Sequence, residues 1–136
     1  MPLPDWAVAI TTGGWQASAL FKLDKAGIAV AGIRAAFADH GVTREIIVAA
    51  ALVMARQTYQ QQQFARIVYV GDGVRDARTA QQLNLEFIGV ASSECQAVLR
   101  AEGARAIIQD FSDFDQFRHA LEELDYGKSM VRSSAK

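Results

Sequence analysis

Apolar residues along the chain follow two patterns, short continuous runs and longer stretches with helical spacing. The short runs predict strands at residues 7–11, 28–33, 66–70, 86–90 and 106–108. Helical spacing predicts helices at residues 15–26, 44–62, 76–83, 94–102 and 114–124. Because strands and helices alternate, the pattern predicts an α/β protein with a parallel sheet that helices cover on both faces.

The longest predicted helix, at residues 44–62, begins directly after Thr43, a residue type that caps helix N-termini. Its apolar side is predicted to consist of Ile46, Ile47, Ala50, Val53, Met54 and Gln57. The pattern contains no internal repeat and no linker, so residues 1–126 are predicted to form one domain. Residues 127–136, where serines separate the basic residues, are predicted to be a flexible tail.

Composition excludes several classes of function. The formal net charge is -1, with acids and bases interspersed, so we expect no nucleic-acid partner. No apolar run approaches the roughly 20 residues of a membrane helix, so we expect no membrane partner. The single cysteine, Cys95, excludes an internal disulfide and favours a reducing, cytoplasmic setting. His40 and His119 are too far apart for a zinc-binding spacing.

The segment from Gly71 to Asp76 is the most informative loop, because it joins a predicted parallel strand to a helix. Asp72 and Asp76 are four residues apart at the sheet edge where ligands of such folds bind. Magnesium takes one or two carboxylates together with waters and a substrate phosphate, so the pair is a candidate metal site. Two alternatives remain open at this point. The aspartates are only a helix cap and a turn residue, or the loop is a dinucleotide-binding fragment, although it lacks the third glycine of that fingerprint.

A second loop, Thr12-Gly13-Gly14, follows the first predicted strand and precedes a helix. A hydroxyl, backbone N–H groups and a helix N-terminus together favour an anion. The alternative is that Thr12 only caps the helix. Arg44 lies in the first turn of the next helix, where the helix dipole disfavours a cation. It is therefore either a ligand for a phosphate or carboxylate, or a solvated surface arginine.

Taken in order, these residues resemble the haloacid dehalogenase-like (HAD) hydrolase superfamily, which has a Rossmann-like core and four motifs. The strand ending in Thr12, with Thr11 as the one-residue alternative, is similar to the second motif. Arg44 is the best match to the third motif, and Gly71, Asp72 and Asp76 match the G-D-x-x-x-D of the fourth. Residues 67–90 look especially like phosphatases of the phosphoglycolate type.

The chain departs from this family at the first motif, D-x-D-x-T or D-x-D-x-V, whose first aspartate is the nucleophile. Nothing before Trp6 is suited to form the strand that carries it. The sequence Asp113-Phe114-Asp115 is the only D-x-D, and it follows the fourth motif and opens a helix. The resemblance therefore implies a three-layer Rossmann-like parallel sheet that lacks its usual first central strand and the substrate-selecting cap domain.

In a complete enzyme of this kind, an aspartate attacks phosphorus while Mg²⁺ and a basic residue offset the negative charge. The resemblance implies that Thr12, Gly13 and Arg44 bind the phosphate, that Asp72 and Asp76 bind Mg²⁺, and that Thr12, Arg44, Asp72 and Asp76 form the catalytic set. We expect a magnesium-dependent phosphatase for a small phosphate ester, inactive as this chain alone. The alternative is a non-catalytic HAD-like module that binds a partner, an anion or a metal.

The missing strand has a structural consequence. In this family it lies between the strands of the second and fourth motifs, so its loss leaves unpaired edges within the sheet. Unpaired strand edges tend to pair with another chain. We therefore expect self-association into a homo-oligomer through these edges, with strand exchange as one route.

Overall fold

The computed structural model describes residues 6–28 and 34–134, with side chains over 6–28 and 35–124. The chain divides into two compact units, Met1–Ala65 and Arg66–Lys136. The described residues contain five α-helices and five strands, and every strand pairing among them is parallel. The predicted α/β class is therefore confirmed, and the strands form two small sheets.

The first unit pairs two short strands and packs one long helix against them. Its elements are β1 (Ala9–Thr11), α1 (Gln16–Lys25), β2 (Arg34–Ala36), a 3₁₀-helix (Ala38–His40) and α2 (Arg44–Tyr59). In the β1–β2 pair, Thr11 is opposite Ala36. Ala36 is fully buried and packs with Ile47 and Ala51 of α2, so burial against α2 holds the strand pair in place.

The start of α2 agrees with the sequence pattern, but its buried face does not. The Thr43 hydroxyl accepts a hydrogen bond from the Ile46 N–H at 3.2 Å, which confirms the predicted cap. The buried residues of the helix are Ile47, Val48, Ala51 and Ala55. The predicted apolar side was therefore wrong in part, because Ile46 and Val53 are about half exposed.

The second unit is a three-stranded parallel sheet with the strand order β3-β4-β5. Its elements are β3 (Val68–Gly71), α3 (Val74–Gln82), β4 (Glu86–Val90), α4 (Ser93–Ala101), β5 (Ala106–Ile108) and α5 (Phe114–Ser134). The bounds of β4 and β5 are those predicted. The strand predicted at residues 28–33 lies mostly outside the described residues, and the strand that the structure does describe in this region is β2.

Neighbouring residues of β4 point to opposite faces of this sheet, as the pleat of a strand requires. Ile88 is fully buried in a cluster with Ala106, Ile108, Ala120 and Leu124, of which the last two belong to α5. On the other face, Phe87 stacks on Tyr69 with ring centroids 6.1 Å apart. The central strand is therefore buried on both faces, which explains its continuous apolar sequence.

Two ion pairs connect elements of the second unit. Arg66 donates to the Glu86 carboxylate at 2.7 Å and to the Leu121 carbonyl of α5 at 3.0 Å. Arg78 of α3 donates to Glu102, just after α4, at 2.9 Å. That hydrogen bond holds the pKa of the Glu102 carboxyl below its ordinary value. Across residues 6–28 and 34–134, no helix is both long enough and apolar enough to cross a membrane.

Candidate functional site

The loop after β1 is held in place by hydrogen bonds from two directions. The Thr12 N–H donates to the Ala36 carbonyl at 3.1 Å, which continues the β1–β2 ladder. The Thr12 hydroxyl accepts from the Gly14 N–H at 3.1 Å, and the Gly14 carbonyl accepts from the Ala38 N–H at 2.9 Å. The loop backbone is therefore fixed against the segment that follows β2.

Thr12 does not act as the cap of α1. The residue at the N-cap position is Trp15, which makes no capping hydrogen bond through its side chain. The Thr12 hydroxyl accepts a bond inside the loop, so its hydrogen remains available to a ligand oxygen. The sequence-based alternative of a simple helix cap at Thr12 was therefore wrong.

Arg44 reaches the same loop from the first turn of α2. A Cβ atom built on Gly13 would lie 3.3 Å from Nη2 of Arg44 and 3.5 Å from its Cζ. The guanidinium thus lies against the bare backbone of Gly13, one residue from the Thr12 hydroxyl. Arg44 is half-buried, so it is not a fully solvated surface arginine. This contact brings together Thr12, Gly13 and Arg44 within the first unit.

Asp39 is a third polar group at this loop, and the sequence pattern did not single it out. Its carboxylate accepts from the Gln16 N–H, the first amide of α1, at 2.8 Å. Because Asp39 takes this amide, the N-terminus of α1 is not fully open to an external anion. The side-chain donors that lie at this loop are the Arg44 guanidinium and the Thr12 hydroxyl.

In the second unit, the loop from Gly71 to Asp76 connects β3 to α3. Asp72 is exposed just after the last residue of β3, whereas Asp76 is nearly buried, with 8% of its surface exposed. Helix α3 begins at Val74, so Asp76 lies in its first turn, close to the predicted start. The two carboxylates therefore occupy different environments, one open to solvent and one held by the protein.

Both oxygens of the Asp76 carboxylate accept hydrogen bonds. Oδ1 accepts from the Tyr69 hydroxyl at 2.7 Å, and Oδ2 accepts from the Gly73 N–H at 3.1 Å. The second bond satisfies an amide at the start of α3, and a negative charge there is favoured by the helix dipole. Asp76 therefore fixes the loop that presents Asp72.

Gly71 is required where the side chain of Asp76 folds back over the strand end. A Cβ atom built on Gly71 would lie 2.5 Å from Cβ of Asp76 and 2.7 Å from its Oδ2. Any larger residue at this position would push the Asp76 carboxylate away from Tyr69. The glycine of the sequence pattern is thus explained by close packing.

The two carboxylates of this loop would supply only part of the ligand set that a magnesium ion needs. Mg²⁺ usually keeps several waters and takes one or two carboxylates, which the exposed Asp72 suits. Both oxygens of the Asp76 carboxylate already accept hydrogen bonds, from Tyr69 and from Gly73. Among the described residues, no group of three or more His, Cys, Asp or Glu side chains is placed to hold a metal ion.

Compared with models of known protein families and with curated proteins, the sequence matches none of them. Any functional inference therefore rests on the geometry of the two loops and on the resemblance of their residues to known motifs.

Proposed function

We propose that this chain carries the phosphate-binding and magnesium-binding residues of a HAD-like hydrolase that acts on a small phosphate ester. The observation that carries the proposal is the Arg44 guanidinium against Gly13, next to the Thr12 hydroxyl. A guanidinium, a hydroxyl and exposed backbone N–H groups are donors that bind phosphate oxygens. Because Gly13 has no side chain, the guanidinium can lie close to the main chain beside the Thr12 hydroxyl.

The second loop supports the same proposal through its position. Asp72 follows the carboxyl end of a parallel strand, where ligands of such sheets bind. A magnesium ion would be held by Asp72 and Asp76, with waters and a phosphate oxygen as the other ligands. When bound, the ion would offset negative charge on the phosphate. Thr12, Arg44, Asp72 and Asp76 are then the catalytic set of the complete enzyme.

Turnover by the 136-residue chain alone is expected to be absent. These residues contain no D-x-D-x-T or D-x-D-x-V sequence, so the aspartate that would attack phosphorus is lacking. The measurement is release of p-nitrophenol from p-nitrophenyl phosphate with Mg²⁺, at substrate concentrations up to saturation. Robust turnover that disappears in Asp72→Asn would contradict the expected inactivity of this chain.

Binding of inorganic phosphate should depend on Arg44. Replacing it with methionine keeps an unbranched side chain but removes the charged donors, so we expect about tenfold weaker binding. The measurement is the dissociation constant of inorganic phosphate, obtained by isothermal titration calorimetry on the folded protein at low salt. Arg100→Met removes the same charge from an exposed position on α4 and should leave the affinity unchanged. Equal affinities of the two variants would contradict a phosphate site at Gly13.

The second candidate function is a non-catalytic module that binds an anion or a metal. The double hydrogen bonding of Asp76 favours it, because that carboxylate stabilises the α3 start whether or not a metal binds. Such a module would bind phosphate through Arg44 and would remain inactive even when a D-x-D-x-T strand is fused ahead of Trp6. Phosphatase turnover by that fusion would favour the hydrolase over the non-catalytic module.

A further inference from the structure

The outer edge of β3 has hydrogen-bonding groups that no described strand uses. Among the described residues, β3 pairs only with β4. The Ile67 carbonyl accepts from the Glu86 N–H at 3.1 Å, so residue 67 directs its polar groups toward β4. Because the direction alternates along a strand, Tyr69 also faces β4, whereas Val68 and Val70 direct their N–H and C=O groups outward.

This edge lacks the features that usually protect an edge strand. The segment from Ile67 to Val70 contains no charged residue and no proline, and 38% of the Val70 surface is exposed. The opposite edge of the same sheet is less suited to pairing. The Ile108 carbonyl accepts from the Ala91 N–H, so β5 turns only its middle residue, Ile107, outward. The β3 edge is therefore the better place for an added strand.

We propose that the β3 edge pairs with the β3 edge of a second copy of this chain, antiparallel about a two-fold axis. If Val68 pairs with Val70 of the partner subunit, both outward residues of each strand are used, giving about four hydrogen bonds. Tyr69 then lies opposite Tyr69 of the partner subunit. The result is one continuous sheet through two second units, with an interface in which each copy contributes the same residues.

Charge favours this register and a second copy as the occupant. Extending the pairing by two residues at each end places Arg66 opposite Asp72 of the partner subunit, and the reciprocal pair at the other end. Asp72 is exposed, and Arg66, although its guanidinium already pairs with Glu86, carries the positive charge at the other end of the uncharged strand. The formal net charge of -1 adds little repulsion between two copies. This inference does not depend on the proposed function.

Amide hydrogen exchange of the wild-type chain tests the pairing residue by residue. The Val68 and Val70 amides should exchange at least about tenfold more slowly at millimolar than at micromolar concentration. The Tyr69 amide, which β4 already binds, should change little over the same range. Light scattering should show twice the 14.8 kDa mass of one chain at the higher concentration. A mass of one chain at every concentration would overturn the proposal.

A matched pair of variants provides the second test. Val70→Lys places a charge on one of the two outward-facing residues of the pairing edge and should make the chain monomeric. Val98→Lys changes an exposed valine on α4 and should leave the dimer intact. Circular dichroism checks that both variants fold. Equal dimer content in the two folded variants would overturn the proposal. If Val70→Lys does not fold, concentration-independent exchange of the Val68 and Val70 amides in the wild type overturns it.

Discussion

Replacing Asp76 with alanine is expected to lower the free energy of unfolding by about 2–4 kcal/mol. The buried Tyr69 hydroxyl would lose its acceptor, and the Gly73 N–H at the start of α3 would lose its capping carboxylate. An unsatisfied buried donor costs about 1–3 kcal/mol and a lost cap about 1 kcal/mol. The measurement is urea unfolding followed by circular dichroism. The midpoints of the variant and the wild type are compared, provided that both have the same m-value.

The matched control is Asp72→Ala, four residues earlier in the same loop. Asp72 is exposed, so its removal should change the unfolding free energy by no more than about 0.5 kcal/mol. A double-mutant cycle with Tyr69→Phe separates the hydroxyl contact from the cap. If Asp76→Ala is no more destabilising than Asp72→Ala, the carboxylate does not hold the loop.

Gly71→Ala is expected to destabilise the chain by about 1–3 kcal/mol, because the added methyl group would overlap the Asp76 side chain. The alanine Cβ would lie 2.5 Å from Cβ of Asp76, and because a rotamer change does not move Cβ, the backbone must shift. We expect a lower thermal midpoint together with altered chemical shifts at Tyr69. The latter would show that the carboxylate has moved.

Gly73→Ala is the control for this substitution. The nearest atom to a Cβ on Gly73 is Oδ2 of Asp76 at 3.6 Å, an ordinary contact, and its φ of -126° suits any residue. We expect a change within about 1 kcal/mol, because a small loss at the helix N-cap is offset by lower entropy of the unfolded chain. Similar losses for the two alanine variants would show that the close approach at Gly71 is not what constrains the loop.

The sequence predicted the second unit better than the first, and the reason is physical. Strands β4 and β5 are continuous apolar runs because both their faces are buried, so their bounds follow from the pattern alone. Strand β2, with the sequence Arg-Ala-Ala, has no strand-forming residues of its own. It is a strand because it pairs with β1 and packs under α2, which only the folded chain defines.

Helix α2 shows the same limit for a helix face. Apolar residues occupy every position from Ile46 to Met54, so periodicity does not single out one side. The packing of α2 against β1 and β2 selects Ile47, Val48 and Ala51 as the buried ones. A sequence that is apolar all round leaves this choice to tertiary contacts.

The candidate site was predictable in its residue types but not in its contacts. The resemblance to known motifs singled out Thr12, Gly13 and Arg44, and the structure places Arg44 against Gly13. No pattern in the sequence indicated the hydrogen bonds of Asp39 to Gln16 and of Tyr69 to Asp76. Each of these bonds depends on how separate segments of the chain come together in the fold. A buried tyrosine needs a partner for its hydroxyl, but the sequence does not say that Asp76 is that partner.

The bridge made by Arg66 affects how the second unit resists proteases. Its guanidinium joins the start of β4, through Glu86, to the Leu121 carbonyl in the middle of α5. Detaching α5 at Leu121 would therefore break the hydrogen bond from Arg66. Local unfolding of this part of α5 is thus coupled to the start of the sheet. Cleavage beyond Leu124 would therefore leave this bridge intact, whereas unwinding of α5 around Leu121 would break it.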